Sequence, residues 1–157
     1  IRARGDLMTD TVEVVEQERP LDMRDRVLAL QSALVQMPQY EPVTEHYFHG
    51  GMYCRKVFRH ADVTVVGKVH KKEHFYMIVN GTVAVTTDDG VQVITGPHLL
   101  CSKPGTKRVV YSVTDALCMT FHRVDSTTVE DAEEELVEHD PASMFTIGNK
   151  LKNEVLK

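Results

Sequence analysis

The stretch Gly67-Lys68-Val69-His70-Lys71-Lys72-Glu73-His74-Phe75-Tyr76-Met77-Ile78-Val79-Asn80-Gly81 reads as a strand running into a polar corner and a second strand leaving it for a tight turn. His70 and His74 flank the corner, four residues apart. Imidazole is a common ligand for Zn, Fe, Ni and Cu, so two such groups with a third from elsewhere would make a facial metal site.

The same texture extends in both directions. Val57–Phe58, Val63–Val69, Phe75–Val79, Thr82–Thr87, Val91–Thr95, Val109–Val113 and Leu117–Val124 are short β-branched runs. Gly50-Gly51, Asn80-Gly81, Asp88-Asp89-Gly90, Gly96-Pro97 and Pro104-Gly105 punctuate them. Asn80-Gly81 and Asp89-Gly90 suit two-residue hairpin turns, whose central residues take positive φ. Short strands with turns every eight to twelve residues predict an all-β sandwich or barrel over 43–125, and no helical period interrupts it.

Helices are expected on either side. Met23, Val27, Leu30, Leu34 and Met37 recur at helical spacing behind a cap at Asp22, and Pro38 stops the pattern. That stripe either packs on the domain's own core or mates with another chain. Val129, Ala132 and Leu136 share one face of a second helix capped by Thr128. Residues 128–140 carry seven acids and no base, whereas 43–125 carry ten Lys/Arg against seven Asp/Glu. The acidic helix is therefore a solvated face or a surface that docks on a basic neighbour. A further short helix through Ile147, Leu151 and Val155 is weakened by Gly148. Residues 1–20 read as an extended arm with one short strand signal at Thr11–Val15. The organisation predicted is thus arm 1–20, helix and linker 21–42, β-barrel 43–125, and helix with tail 126–157.

Composition narrows the function classes. The chain has 157 residues, enough for one core, and is 42% hydrophobic and 26% charged, which excludes a wholly disordered chain. A net charge of -5 disfavours direct nucleic-acid binding, and no apolar run is long enough for a membrane helix. Cys54, Cys101 and Cys118 are odd in number and lack CxxC spacing, so we read them as reduced thiols in an intracellular setting. The start shows no basic-then-apolar leader pattern, and because it is Ile1 rather than Met we expect residues upstream. No nucleophile elbow, P-loop or dinucleotide fingerprint occurs. Cys118 and His122 share a strand face but lie ~13 Å apart by strand rise, too far for a nucleophile–base pair.

Eight histidines outnumber Phe and Tyr, at five each. On the last strand Cys118, Thr120 and His122 alternate on one face, so His122 is the expected third partner of His70 and His74, with His46 in reserve. His49, His60, His98 and His139 fall in turn-like or helix-end settings and receive no role.

With these residues in place the central segment resembles the cupin superfamily. Gly81 follows His74 by seven residues, so His74 occupies the slot usually held by Glu, His70 matches the second His, and Lys68 falls where the first His belongs. The second motif resembles Lys103-Pro104-Gly105-Thr106-Lys107-Arg108, where Arg108 takes the position of the last His ligand. A cation there repels a metal, so Lys68 and Arg108, with Tyr76, either line a pocket for a small anion or pair with Glu73 and Asp115. The resemblance implies a jelly roll (double-stranded β-helix).

His46-Tyr47-Phe48, Gly51-Met52-Tyr53-Cys54-Arg55, the Ser102–Arg108 run and Thr120-Phe121-His122 are also similar to small cupin-like proteins of tailed bacteriophages and prophages, from about Leu28 to Val137. This resemblance implies a non-enzymatic, virion-associated protein that uses its barrel as an oligomerisation and docking module. Its expected partners are further copies and other virion proteins, in the virion or the cytoplasm of an infected bacterium. The alternatives are a metal-dependent cupin enzyme of dioxygenase or isomerase type, holding one divalent transition metal on His70, His74 and His122, and a module for small anionic ligands.

Overall fold

The structure is a computed structural model and describes residues 22–87 and 89–152. The arm, its Thr11–Val15 strand signal and Val155 lie outside those residues. Among the described residues nine strands form two antiparallel sheets: β1 Val43–His49, β2 Met52–Arg59, β3 Thr64–Val66, β4 His74–Asn80, β5 Thr82–Thr87, β6 Gly90–Thr95, β7 His98–Ser102, β8 Val109–Ser112 and β9 Ala116–Arg123. One sheet has the order β1-β2-β9-β4-β7 and the other β3-β8-β5-β6. This is the expected all-β jelly roll, with helices α1 (Met23–Leu34) and α2 (Val129–Leu136) on either side of it in sequence.

Inward side chains of both sheets make the core, among them Ile78, Val83, Val85 and Ala116, each with 0% exposure. At ~25 cal/mol per Å² of apolar surface, Ile78, Val83 and Val85 each contribute about 1.5–3 kcal/mol.

Three local expectations are corrected. Asn80-Gly81 does not close a hairpin: it carries the chain from β4 in one sheet to β5 in the other. Gly81 has φ 82° and a Cβ there would sit 2.8 Å from the Ala116 Cα, so the crossing depends on glycine. The α1 stripe is also narrower than its spacing suggested. Asp22 caps the helix by accepting from the Asp25 N–H, but the buried residues are Val27 and Gln31, while Leu30 and Met37 are exposed. Val27 packs with Val66, Val109, Met144 and Phe145, so the helix covers its own barrel. Finally, the described part of the tail forms a 3-10 turn at Ile147–Asn149 in which Gly148 takes φ 71°, and Leu151 then bridges to Phe145.

The acidic helix docks one face on lysines of its own barrel, while Glu130, Asp131 and Glu134 stay exposed. Lys68 Nζ lies 3.1 Å from Glu133 and Lys72 Nζ 2.7 Å from Glu135. Lys71 Nζ donates to the Glu134 carbonyl at 2.9 Å. Ala132 and Leu136 on its apolar face pack against Tyr53 and Val124. Just after the helix, Val137 forms a β-bridge with His70, the Lys71 N–H donates to the Leu136 carbonyl, and Glu138 N–H donates to Val69. The helix therefore fixes the corner that carries His70.

Candidate metal centre

Register explains why three histidines meet. In β2, residues alternate between faces, so Tyr53, Arg55, Val57 and Arg59 share the inner one. Tyr53 lies opposite His122, and Arg55 opposite Thr120. In β4, Phe75 lies opposite Phe121 and Tyr76 opposite Thr120, which puts His74 beside His122 one step further along. The result is an inner row Phe48–Tyr53–His122–His74, with ring centroids 4.6, 5.7 and 4.5 Å apart. His70 enters from the corner before β4, 4.3 Å from His74 and 5.2 Å from His122 between ring centroids.

One ring nitrogen from each of His70, His74 and His122 lies within 4.8 Å of the others. Two nitrogens on one tetrahedral zinc would be about 3.3 Å apart, so modest side-chain rotation closes the set. The other nitrogens are engaged. His122 Nε2 is 2.9 Å from the Thr120 hydroxyl, and His74 Nδ1 is 3.4 Å from the Lys72 carbonyl. His70 has a hydrogen bond to the Lys68 backbone. That leaves His70 Nε2 and His122 Nδ1, both buried and both without a hydrogen-bond partner among the described residues. Buried ring nitrogens are rarely left so, and a ligating histidine typically has its second nitrogen hydrogen-bonded in this way.

Burial, then the neighbouring His74 and the Arg55 charge, push His70 down to about 3 and His122 down to about 2; for His122 the His70 charge also counts. His74 is lowered as well, chiefly by burial. All three imidazoles are therefore neutral near pH 7, the form that ligates. On donor type, second-nitrogen partners and orphaned nitrogens, the three residues fit one divalent transition metal.

No protein-family model matches the sequence, nor does any curated protein sequence. Likeness appears in solved structures. The salicylate 1,2-dioxygenase of Pseudaminobacter salicylatoxidans matches with a TM-score of 0.51 at 12% identity, over 71% of this chain and 35% of that one. What the two chains share is a fold, the cupin-like jelly roll. A cupin superfamily protein from Desulfitobacterium hafniense is also similar, with a TM-score of 0.48, 14% identity, and coverage of 69% and 94% of the two chains. Identity this low speaks for the fold alone. The chain spans about a third of the dioxygenase's length (35%).

At the two cupin-motif positions held by cations, the structure shows partners. Lys68 pairs with Glu133 and donates to the Thr146 carbonyl at 3.1 Å, rather than pairing with Glu73. Glu73 instead accepts from the Cys101 thiol, and Asp115 accepts from the Ala61 N–H. Arg108 donates to the Ser102 hydroxyl from Nε at 3.1 Å and from Nη2 at 2.9 Å. Tyr76 is buried, its hydroxyl pushed up to about 12, chiefly by burial. Lys68, Tyr76 and Arg108 nevertheless line one cavity with His70 and His74. Two further cations line it that the sequence reading passed over: Arg55 and Arg59. His46, the reserve ligand, stands apart, 2.7 Å from the Tyr53 hydroxyl.

The depressed histidines set the acid response of the metal-free chain. An unfolded imidazole takes up its proton near pH ~6.5, whereas the folded chain resists doing so until far lower pH. Stability from these groups is therefore fully present above ~6.5 and is lost as pH falls toward the folded values. The carboxylates with lowered values, Glu41, Glu45, Glu135 and Asp140, add their loss only below their ordinary range. The interval from pH ~6.5 to ~4.5 thus reports the histidines. Urea midpoints of metal-free protein should fall across it by the equivalent of about 4–5 kcal/mol, roughly 2 for each of His70 and His122. A flat midpoint would show that the triad is solvated.

Proposed function

We propose that this chain is a metal-binding cupin-fold protein that acts on a small molecule at a His70–His74–His122 centre. The observation that carries the reading is the pair of orphaned buried nitrogens, His70 Nε2 and His122 Nδ1, in a cluster whose other nitrogens are engaged. A divalent ion held there would supply a Lewis acid to an oxygen atom of the bound molecule. The chain's own residues shape the rest: a cavity of about 110 Å³, open to small molecules only, with Val57, Val66, Val110 and Cys118 on its walls. Elemental analysis of protein purified without chelator tests the proposal. It expects about one equivalent of a first-row metal per chain, or its uptake on reconstitution; neither bound metal nor uptake would end it.

A second reading concerns assembly, and the outer face of the five-stranded sheet favours it. There Leu99, Met77 and Met119 form one cross-strand row, and Cys101, Phe75 and Phe121 form the next. Leu99 is 53% exposed and Phe75 50%, which is unusual for adjacent apolar residues on a sheet. We propose that this face meets a second copy about a two-fold axis, the contact an oligomerising virion-associated protein of phage type would use. Light scattering should give a dimer that Phe75→Lys with Leu99→Lys converts to monomer; a monomeric wild type contradicts it. Co-sedimentation with virions addresses the phage role separately.

A further inference from the structure

Arg59 is 7% exposed, yet its Nε has no hydrogen-bond partner and its Nη1 has only the Tyr76 hydroxyl at 3.5 Å and the Cys118 sulfur at 3.7 Å. Both contacts are long, and neither partner is a carboxylate. Arg55, four residues earlier on the same strand face, donates from Nη1 to the Asn149 side chain at 3.2 Å and lies 5.7 Å from the centre of the Tyr53 ring, while its Nε and Nη2 have no hydrogen-bond partner among the described residues. Among the described residues neither guanidinium lies within ion-pair distance of a carboxylate. No Asp or Glu among the described residues lines the cavity they share. The acids of the neighbourhood are committed elsewhere: Glu133 to Lys68, and Asp140 to Lys107. A buried guanidinium without a counter-charge costs several kcal/mol, so a fold that buries Arg59 and points the half-buried Arg55 into the same cavity has a use for them.

We infer that the cavity binds a small dicarboxylate, one carboxylate on Arg59 deep in the barrel and the other on Arg55 beside the histidines. Arg offers a planar fork that takes a carboxylate through two parallel N–H···O bonds, and Arg59 Nε with Nη2 presents that fork. Arg55 and Arg59, with Arg108 on the same cavity and Lys68 paired to Glu133, call for an anion of at least two charges. Spacing sets its length: four residues along a strand span ~13 Å, and a guanidinium–carboxylate pair takes about 4 Å centre to centre at each end. About 5 Å remain between the carboxylate carbons, which fits a chain of four or five carbons. The wall between the two arginines, Val57 and Cys118, is apolar, as the methylenes of such a molecule require. The site goes beyond the metal reading and stands on guanidinium groups alone.

Calorimetric titration and thermal shift are run on chelator-treated and on metal-loaded protein, with succinate, glutarate, acetate, inorganic phosphate and neutral succinamide as probes. Succinate or glutarate should bind both forms and raise the melting temperature, with acetate at least tenfold weaker and succinamide silent. Arg59→Met should abolish the response, and Arg55→Gln should weaken it at least tenfold; Lys103→Met, on the surface, should leave it unchanged. Arg59→Met should also melt no lower than wild type without ligand, because it removes an unpaired buried charge. A wild type silent to both dicarboxylates, an Arg59→Met that still responds, or phosphate binding as tightly as succinate would each overturn the inference. A dicarboxylate bound only by metal-loaded protein would do so as well, leaving the metal centre intact.

Discussion

Replacing His122 with Ala should weaken Zn(II) or Co(II) binding at least a hundredfold while leaving the β-sheet circular dichroism unchanged. His122 is buried in the inner row of β9, and its Nδ1 is one of the two orphaned nitrogens. Removing only a hydrogen-bond partner of a metal-ligating histidine costs about 10–100-fold in affinity, so losing the ligand itself costs more. Thr120 provides the graded control. Its hydroxyl is 2.9 Å from His122 Nε2, and Thr120→Val keeps the shape but removes that contact. It should weaken the metal about tenfold. Competition titration against a chromophoric chelator reads both. Equal affinity for wild type and His122→Ala would show that metal, if bound, sits elsewhere.

The second large effect falls outside the triad. Glu133→Ala should destabilise the protein by about 3 kcal/mol, lowering the melting temperature by roughly 10 °C. Glu133 is 7% exposed, accepts from Lys68 Nζ at 3.1 Å and from the Gly148 N–H at 2.8 Å, and so ties α2, the barrel and the tail together. Its loss orphans a buried N–H and leaves Lys68 with a single carbonyl partner. Because α2 leads into the Val137 bridge to His70, the variant should also bind metal more weakly than its residual fold would suggest. Chemical denaturation gives the first number and chelator competition the second. A change under about 0.5 kcal/mol, the size expected of an exposed pair, would refute the clamp.

The parts of this protein that were legible in the sequence are those written in local periods. Strand alternation through Cys118, Thr120 and His122 put His122 on the inner face, and the His70–His74 corner named its companions. The β-branched runs were equally plain, although β1 and β7 escaped as separate strands: β1 interleaves two histidines and a glutamate with its apolar residues, and β7 is only five residues long. What was missed depends on distance along the chain or on ignoring charge. Lys68 finds Glu133 sixty-five residues away, which no local pattern encodes. Asn80-Gly81 carries the composition of a hairpin turn, but strand order, fixed by the long-range pairing of β4 with β9, makes it a passage between sheets. Arg55 and Arg59 were visible in principle. Alternation in Tyr53-Cys54-Arg55-Lys56-Val57-Phe58-Arg59 sends both arginines inward with Tyr53 and Val57, and an inward arginine on an otherwise apolar strand face is a signal worth reading.

The most direct measurement of the central claim is an anomalous difference map from crystals soaked in Co(II) and collected at the cobalt edge. The account predicts one peak per chain, within about 2.0–2.2 Å of His70 Nε2, His122 Nδ1 and a ring nitrogen of His74. Fully occupied cobalt at surface histidines such as His49 or His60, with no density among the three inner rings, would contradict it.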